Sequence, residues 1–230
     1  MNRNILIGAA AIAAVLLLSK KSHASEESPP YSGNDNENDY FGWGGDDDVW
    51  QVLEPTAVVD MNNFSQNLRA FLYMIQRAEH SAGDVSSGAA YNIVFGGDRF
   101  NDMSDHPAIT GEWRGRLLSD SMCRNAGYGP GCISTAAGAY QIRRKTWEGV
   151  RKAGKWGGAL PDFGPASQDE AGRRLIVQRG ALALVEAGRV EDAIKRVAQE
   201  WASLPGNNAK QSQRSLPEVL AFYDDGLRSG

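Results

Sequence analysis

The stretch FSQNLRAFLYMIQRAEH, residues 64–80, decides the fold of this chain. Its large apolar residues recur at the spacing of one face of an amphipathic α-helix. The small residues at 81–83 indicate where this helix ends. The stretch therefore predicts a helix that packs one face into a core and ends close to Glu79. The apolar residues of that face are Phe64, Leu68, Phe71, Leu72 and Ile75.

Glu79 falls on the same face, four residues after Ile75 and seven after Leu72. Burial and the negative end of the helix dipole both disfavour the ionised carboxylate, so we expect its pKa to lie above the ordinary value of about 4.3. Such a group is protonated near neutral pH and can act as a general acid. The spacing alone leaves a structural role open, in which Glu79 caps the helix or pairs with an arginine such as Arg77.

The segment after this helix has the pattern of a short β-hairpin. Two short candidate strands, YNIVF at 91–95 and DRF at 98–100, flank Gly96 and Gly97. A pair of glycines between such stretches is typical of a two-residue hairpin turn.

Helical patterns return after Gly138. They cover 140–150, 167–188, 190–201 and 215–227, where SQDE at 167–170 has the pattern of a capping box and Pro217 lies in a first turn. The chain is therefore predicted to be an α+β, mainly helical domain, in which a small β-hairpin subdomain follows the first helix.

The charges divide the chain into two parts. No Lys or Arg lies between Lys21 and Arg69, and nine acidic residues lie between Lys21 and Asp60, whereas from Asp60 onward there are 21 basic and 19 acidic residues. The second part is nearly neutral and has no obvious basic stripe, so we expect no nucleic-acid partner. The length suits one globular domain with a tail.

Residues 5–18, ILIGAAAIAAVLLL, form an apolar run between Arg3 and Lys20. A helix of this length reaches roughly 20 Å, less than the hydrocarbon core of a bilayer. We predict a membrane signal or anchor at residues 1–21, and leave open whether it is cleaved or retained. Either alternative predicts an extracytoplasmic domain, membrane-associated through 5–18 or secreted after cleavage.

Residues 22–60 are rich in Ser, Pro, Gly, Asn and acidic residues, and are predicted to form an acidic flexible tether. Alternatively, the aromatic residues near 40–50 dock onto the domain or a partner.

The predicted catalytic domain is 61–230. Within it, Cys123 and Cys132 flank a Gly-rich loop and would pair in an oxidising compartment, the alternative being two free thiols. The three histidines lack metal-ligand spacing, so we expect neither a metal nor a cofactor.

Six stretches resemble, in the same order, the family of the bacteriophage lambda endolysin, a family of lytic transglycosylases. They extend over most of the predicted domain, from about residue 67 to the C-terminus. Two stretches depart from the family pattern: 111–131 is longer, and NNAK at 207–210 follows the last motif. The six are FLYMIQRAE (71–79), YNIVFGGDRFNDMSDHP (91–107), STAAGAYQ (134–141), DFGPASQD (162–169), RGAL (179–182) and WASLPG (201–206).

The resemblance implies a lysozyme-like, two-lobed fold with Glu79 as the single catalytic acid and base. The substrate would be peptidoglycan, cleaved between N-acetylmuramic acid and N-acetylglucosamine as the 6-hydroxyl of the sugar attacks its own anomeric carbon. The extracytoplasmic location would then be the host periplasm or a virion membrane. Virion or host-envelope partners would follow from a role at host lysis or at entry. The resemblance also implies substrate-binding residues on the walls of the cleft: Gln141, Tyr140, Ser134 and Thr135 on one wall, and Tyr91 with the Gly96–Gly97 turn on the other.

Three alternatives remain at this stage. Tyr140 could be a core residue while Gln141 only holds the backbone. A hydrolase could use a second carboxylate among Asp98, Asp102 and Asp105, although Asp105 suits a cap before His106 and Pro107 better. A membrane-anchored protein could also bind peptidoglycan without cleaving it.

Overall fold

The computed structural model describes residues 63–155, 157–208 and 212–229. The predictions for 1–21 and for nearly all of 22–60 and its aromatic residues lie outside the described residues, so the boundaries 1–21, 22–60 and 61–230 stay predictions. All described residues belong to one compact unit.

The first helix, α1, spans Gln66–Glu79, and the Ser65 hydroxyl caps it by accepting a hydrogen bond from the Leu68 N–H. Its apolar face is buried as the spacing predicts. It packs closely against the last helix, α9, Leu216–Ser229. A Cβ at Gly226 would lie 2.8 Å from the Ala70 Cα, so only glycine permits this approach. The decisive helix is therefore fixed along its length by a helix from the other end of the chain.

Short elements connect α1 to the middle of the chain. They are α2 (Ala82–Ser86), a 3₁₀ helix (Ala89–Asn92), α3 (Pro107–Thr110), β1 (Arg116–Leu117), α4 (Asp120–Asn125) and β2 (Ile133–Ser134). Strands β1 and β2 pair antiparallel, with Arg116 opposite Ser134 and Leu117 opposite Ile133.

The predicted hairpin at 91–100 is much reduced. Gly96 and Gly97 form the turn, both with positive φ, but only one bridge, Ile93 with Arg99, connects its arms. The backbone groups of Ile93 and Phe95 bond instead to residues 136–138, which leaves them unavailable for a longer hairpin.

The later helices are α5 (Arg144–Val150), α6 (Pro165–Gln178), α7 (Leu182–Glu186) and α8 (Val190–Val197). The prediction that SQDE at 167–170 opens a helix is wrong. Pro165 occupies the first turn of α6, and the Ser167 hydroxyl donates to Asp162 from within the helix. Gly180, at φ 64, separates α6 from α7, so one predicted helix is two. The mainly helical α+β class is confirmed.

No helix in the described part of the chain is long and apolar enough to cross a membrane.

Candidate active site

Glu79 is the last residue of α1, and its half-buried carboxylate faces the loop that follows α8. The Ser203 hydroxyl in that loop donates a hydrogen bond to Glu79 Oε1 over 2.6 Å. The Arg214 N–H donates to the Ser203 carbonyl at 2.7 Å, and Arg214 Nε donates to the Ala78 carbonyl at 3.3 Å. The carboxyl is thus held between the end of a core helix and a loop from the C-terminal part of the chain.

The environment of Glu79 makes it a weak acid. Burial raises its pKa from the ordinary 4.5 to about 7, although the Ser203 hydrogen bond and the positive charge of Arg214 lower it in part. At neutral pH both the acid and the carboxylate are therefore populated, which suits a group that first donates and then accepts a proton. The alternative partner, Arg77, has its guanidinium over the Phe222 ring, 4.6 Å from the centroid.

A buried polar network lies one helical turn before Glu79. The Asp169 carboxylate accepts hydrogen bonds from the hydroxyls of Tyr91 and Tyr140, and Gln76 Nε2 donates to both hydroxyls, at 3.1 and 2.9 Å. Burial raises the pKa of Asp169 to about 6, although the two phenols lower it in part, and burial also raises the pKa of each phenol. The network joins α1 to α6 and fixes the turn of α1 that precedes the acid.

A second set of contacts fixes the end of α1. His80 Nε2 forms a 3.0 Å hydrogen bond with the Gly138 carbonyl. Gly138 has φ 77, and a Cβ there would lie 2.1 Å from Gln168 Oε1, which accepts from the Ala139 N–H at 2.8 Å. A side chain at this position would strain the backbone and displace the Gln168 amide, so glycine is favoured there.

The structure places Tyr140 in the core instead of on the cleft wall. Its side chain is 1% exposed, and its carbonyl accepts a hydrogen bond from Trp201 Nε1. A sugar cannot reach it in this conformation, so its prediction as a substrate-binding residue is corrected to a core position. Gln141 is half-buried with φ 45, and its amide donates to the carbonyls of Ile93 and Gly138. Tyr140 thus matches the alternative of a core residue, while substrate binding by Gln141 stays a prediction.

The other predicted wall residues also make structural contacts. Thr135 is buried, and its hydroxyl accepts from the Arg144 N–H at 3.1 Å. Ser134 is half-buried on β2, and Tyr91 is half-buried while its hydroxyl belongs to the Asp169 network. Of the predicted wall, Ser134, Gln141 and Tyr91 thus retain exposed surface. The Gly96 turn lies under the Arg116 guanidinium, which a Cβ at Gly96 would overlap.

Asp105 has the structural role that the sequence favours. It accepts hydrogen bonds from the His106 N–H and from Trp147 Nε1, both at 2.7 Å, and pairs with the Arg151 guanidinium. Burial raises its pKa, but these donors outweigh burial, so the net pKa is lowered. Asp102 is exposed and accepts from the Ser104 N–H. Neither carboxylate has the raised pKa of a second acid.

Cys123 and Cys132 form a disulfide, with their Cα atoms 5.8 Å apart. It closes the loop between α4 and β2, immediately before Ser134. We call residues 111–133 the lip.

The sequence patterns predict no role for Ser203, Arg214 or Asp169. Ser203 lies 124 residues from Glu79, and Asp169 lies 93 residues from Gln76. Spacing reports only neighbours on one helix face, so it cannot detect such contacts. Ser203 and Asp169 could have been found only from the motifs that contain them, WASLPG and DFGPASQD.

The chain is similar to known phage proteins over most of its length. It is 36% identical to the endolysin of Escherichia phage P2 over 167 residues, which cover 70% of this chain and 93% of that protein. It is 31% identical to the endolysin of Escherichia phage lambda over 170 residues, with coverage of 73% and 94%. Among solved structures it is similar to bacteriophage lambda lysozyme complexed with a chitohexasaccharide, at a TM-score of 0.55 and 30% identity, covering 71% of this chain and 96% of that one. The predicted lysozyme-like fold is confirmed.

The predicted localisation, membrane-associated or secreted, is wrong. The relatives are phage endolysins that the chain matches over nearly their whole length. The described residues contain no membrane-spanning helix, and the apolar run at 5–18 lies outside them. Nothing in these similarities supports membrane or virion partners.

The family model of the endolysins matches residues 69–227, from the first turns of α1 almost to the end of α9. This range contains Glu79, Ser203 and the Asp169 network. The chain belongs to the endolysin family.

Proposed function

We propose that this endolysin degrades peptidoglycan as a lytic transglycosylase. It cleaves the β-1,4 bond between N-acetylmuramic acid and N-acetylglucosamine and leaves a 1,6-anhydro-muramic acid end, with Glu79 as the acid and the base. The observation that carries this proposal is the position of Glu79, a desolvated carboxyl with a pKa near 7 that accepts a hydrogen bond from the Ser203 hydroxyl.

In the first step the protonated Glu79 donates its hydrogen to the glycosidic oxygen. The bond from this oxygen to the anomeric carbon breaks, and positive charge develops on the sugar ring. The Ser203 hydroxyl donates to Oε1, so Oε2 is the oxygen that carries the proton. The carboxylate formed in this step keeps the Ser203 hydrogen bond and the attraction of Arg214.

In the second step the 6-hydroxyl oxygen of the same sugar bonds to the anomeric carbon, and its proton passes to Glu79. The enzyme returns to its starting state, and no water is consumed. One group serves both steps because its pKa lies near the working pH. A two-carboxylate hydrolase would need a partner about 5–9.5 Å away. Asp105, the most buried of the three carboxylates that the sequence offers as a second catalytic group, accepts a hydrogen bond from Trp147 and pairs with Arg151.

The mass of the products tests this mechanism. Purified sacculi are digested in water enriched in oxygen-18, and the masses of the fragments are measured by mass spectrometry. We expect anhydro ends that are one water lighter than reducing ends and contain no heavy oxygen. Reducing ends that carry heavy oxygen would overturn the proposal and indicate a hydrolase.

Replacing Ser203 tests whether its hydrogen bond sets the pKa of Glu79. Ser203→Ala removes a hydrogen bond that favours the carboxylate, so the pKa of Glu79 rises further. We expect the alkaline limb of the kcat/KM profile to move up by about 1 pH unit, because a hydrogen bond to a charged group is worth about 1.5 kcal/mol or more.

Ser203→Thr keeps the hydroxyl and should restore the wild-type limb. A merely structural serine would change the melting temperature without moving the limb, and that result would contradict the assignment.

A further inference from the structure

The lip has almost no buried surface of its own. Within residues 111–133, all of which the structure describes, only Cys123 is buried. Trp113 packs at the edge of the core and anchors the start of the lip. The regular structure of the lip consists of the two residue pairs of β1 and β2 and the six residues of α4. A segment with so few buried contacts opens easily unless a covalent bond closes it.

The Cys123–Cys132 disulfide is the covalent bond that closes the lip. It ties α4 to the residue immediately before β2. The Cys132 carbonyl accepts a hydrogen bond from the Leu118 N–H at 3.0 Å, and the Cys123 carbonyl accepts one from the Tyr128 N–H at 2.8 Å. Both cysteines therefore also carry backbone contacts of the lip, and breaking the disulfide removes the bond that keeps these contacts together.

Strands β1 and β2 connect the lip to both predicted walls of the cleft. Strand β2 ends at Ser134, on one wall, and Arg116 lies opposite Ser134 on β1. Arg116 Nη1 donates to the Gly96 carbonyl at 3.4 Å, in the turn that is predicted for the other wall. A Cβ at Gly115 would lie 2.9 Å from the Ser134 carbonyl oxygen, so the two strands approach closely here. The spacing of the walls therefore depends on the strand pairing that the disulfide maintains.

We propose that reduction of the Cys123–Cys132 disulfide opens the lip and weakens the binding of peptidoglycan, so that the redox state of this bond regulates the endolysin. This inference rests on the proposed function, because it places the glycan strand between the two predicted walls. Glu79, Ser203 and the Asp169 network belong to other elements. The acid therefore keeps its environment when the lip opens, and the effect falls on substrate binding.

A dithiol supplies the two electrons for the reduction. Its thiolate attacks the sulfur of Cys132, because Cys132 is half-buried whereas Cys123 is buried. The disulfide bond breaks, a mixed disulfide forms on Cys132, and Cys123 leaves as a thiolate that takes up a proton. The second thiol of the reductant then displaces the Cys132 thiol. The products are two protein thiols and the oxidised reductant.

Limited proteolysis tests the opening of the lip without any cleavage of peptidoglycan. Cys123→Ala/Cys132→Ser lacks the disulfide, so trypsin is never exposed to a reductant. Arg124 is exposed inside the closed loop. We expect trypsin to cut after Arg124 about 100-fold faster in the variant than in the oxidised wild type, since closing a loop of this length shifts the opening equilibrium by about that factor. Cutting after the exposed Arg189, outside the lip, is the matched control and should not change.

Kinetics on purified sacculi test the effect on binding. The wild type is measured oxidised, after treatment with dithiothreitol, and after reoxidation. We expect reduction to raise KM about tenfold, as for a lip that is closed for about a tenth of the time, and to leave kcat within about twofold. Reoxidation should restore KM. The cysteine variant should have the KM of the reduced enzyme and should not respond to dithiothreitol, because the chain has two cysteines.

An unchanged KM on reduction would overturn the proposal, and so would a variant that trypsin cuts after Arg124 no faster than the wild type. Equally accelerated cutting after Arg189 would indicate global unfolding instead of a local opening and would also overturn it. A fall in kcat at constant KM would place the effect at Glu79 instead of the lip. Neither measurement depends on the product, so reducing ends in the product experiment would overturn the transglycosylase mechanism and leave this result standing.

Discussion

We expect Glu79→Gln to lower the rate of peptidoglycan cleavage by about 100- to 10,000-fold, because in the proposed mechanism the amide can neither donate a proton to the glycosidic oxygen nor accept one from the 6-hydroxyl. The replacement has the same shape, and its amide oxygen can still accept the Ser203 hydrogen bond. Turbidity loss of purified sacculi gives the rate, and the circular dichroism spectrum verifies that the variant is folded.

The matched control is Glu191→Gln, which removes one exposed carboxylate from the first turn of α8. We expect it to retain wild-type activity. Wild-type kcat/KM should fall as the pH rises above about 7, since the acid form of Glu79 is then depleted. A Glu79→Gln variant as active as the control would show that the acid lies elsewhere.

The position of Glu79 could be predicted because it depends on one helix. The apolar spacing of one helix indicates where α1 lies and shows that Glu79 is on its buried face. Burial of the carboxyl then gives the direction of the pKa shift. The partner that tunes the acid could not be predicted in this way. Ser203 is one of many serines, and only tertiary packing brings the loop after α8 to the end of α1.

The local predictions from which the structure departs have a common physical cause. Local patterns at 91–100 and 167–170 suit a hairpin and a capping box, but tertiary contacts use the same groups differently. Residues 136–138 take the backbone hydrogen bonds of the hairpin arm, and Pro165 starts α6 before Ser167 can cap it. Tyr140 shows the same effect at the site, because its hydroxyl satisfies the buried Asp169 and cannot face a substrate.

The network around Asp169 gives the core a polar layer next to the acid. Asp169 is buried, and three donors from α1, the 3₁₀ helix and the 138–142 segment converge on it. A buried carboxylate is tolerated only when its hydrogen-bonding capacity is filled, so the geometry of these donors is closely constrained. The same constraint fixes α1 and therefore the direction in which Glu79 projects.

Glu79 makes the folded protein less stable at and above pH 7 than at acid pH. Its pKa is about 7 in the folded protein and 4.5 when unperturbed, so the folded state binds the proton more tightly than the unfolded state does. The contribution of this group to stability is therefore fully present below pH 4.5 and is lost as the pH rises through 7. The difference corresponds to about 3 kcal/mol.

Glu79→Gln should consequently become more stable relative to wild type as the pH rises, by about 3 kcal/mol between pH 4.5 and pH 8. Urea unfolding of both proteins at several pH values gives this difference. Asp169, whose pKa is also raised, is present in both proteins, so its contribution to the pH dependence of stability cancels in the difference. Glu191→Gln provides the control and should show a difference from wild type that does not change with pH in this way. A constant difference for Glu79→Gln would mean that the carboxyl is solvated in the folded protein, and the desolvation that makes it an acid would then be absent.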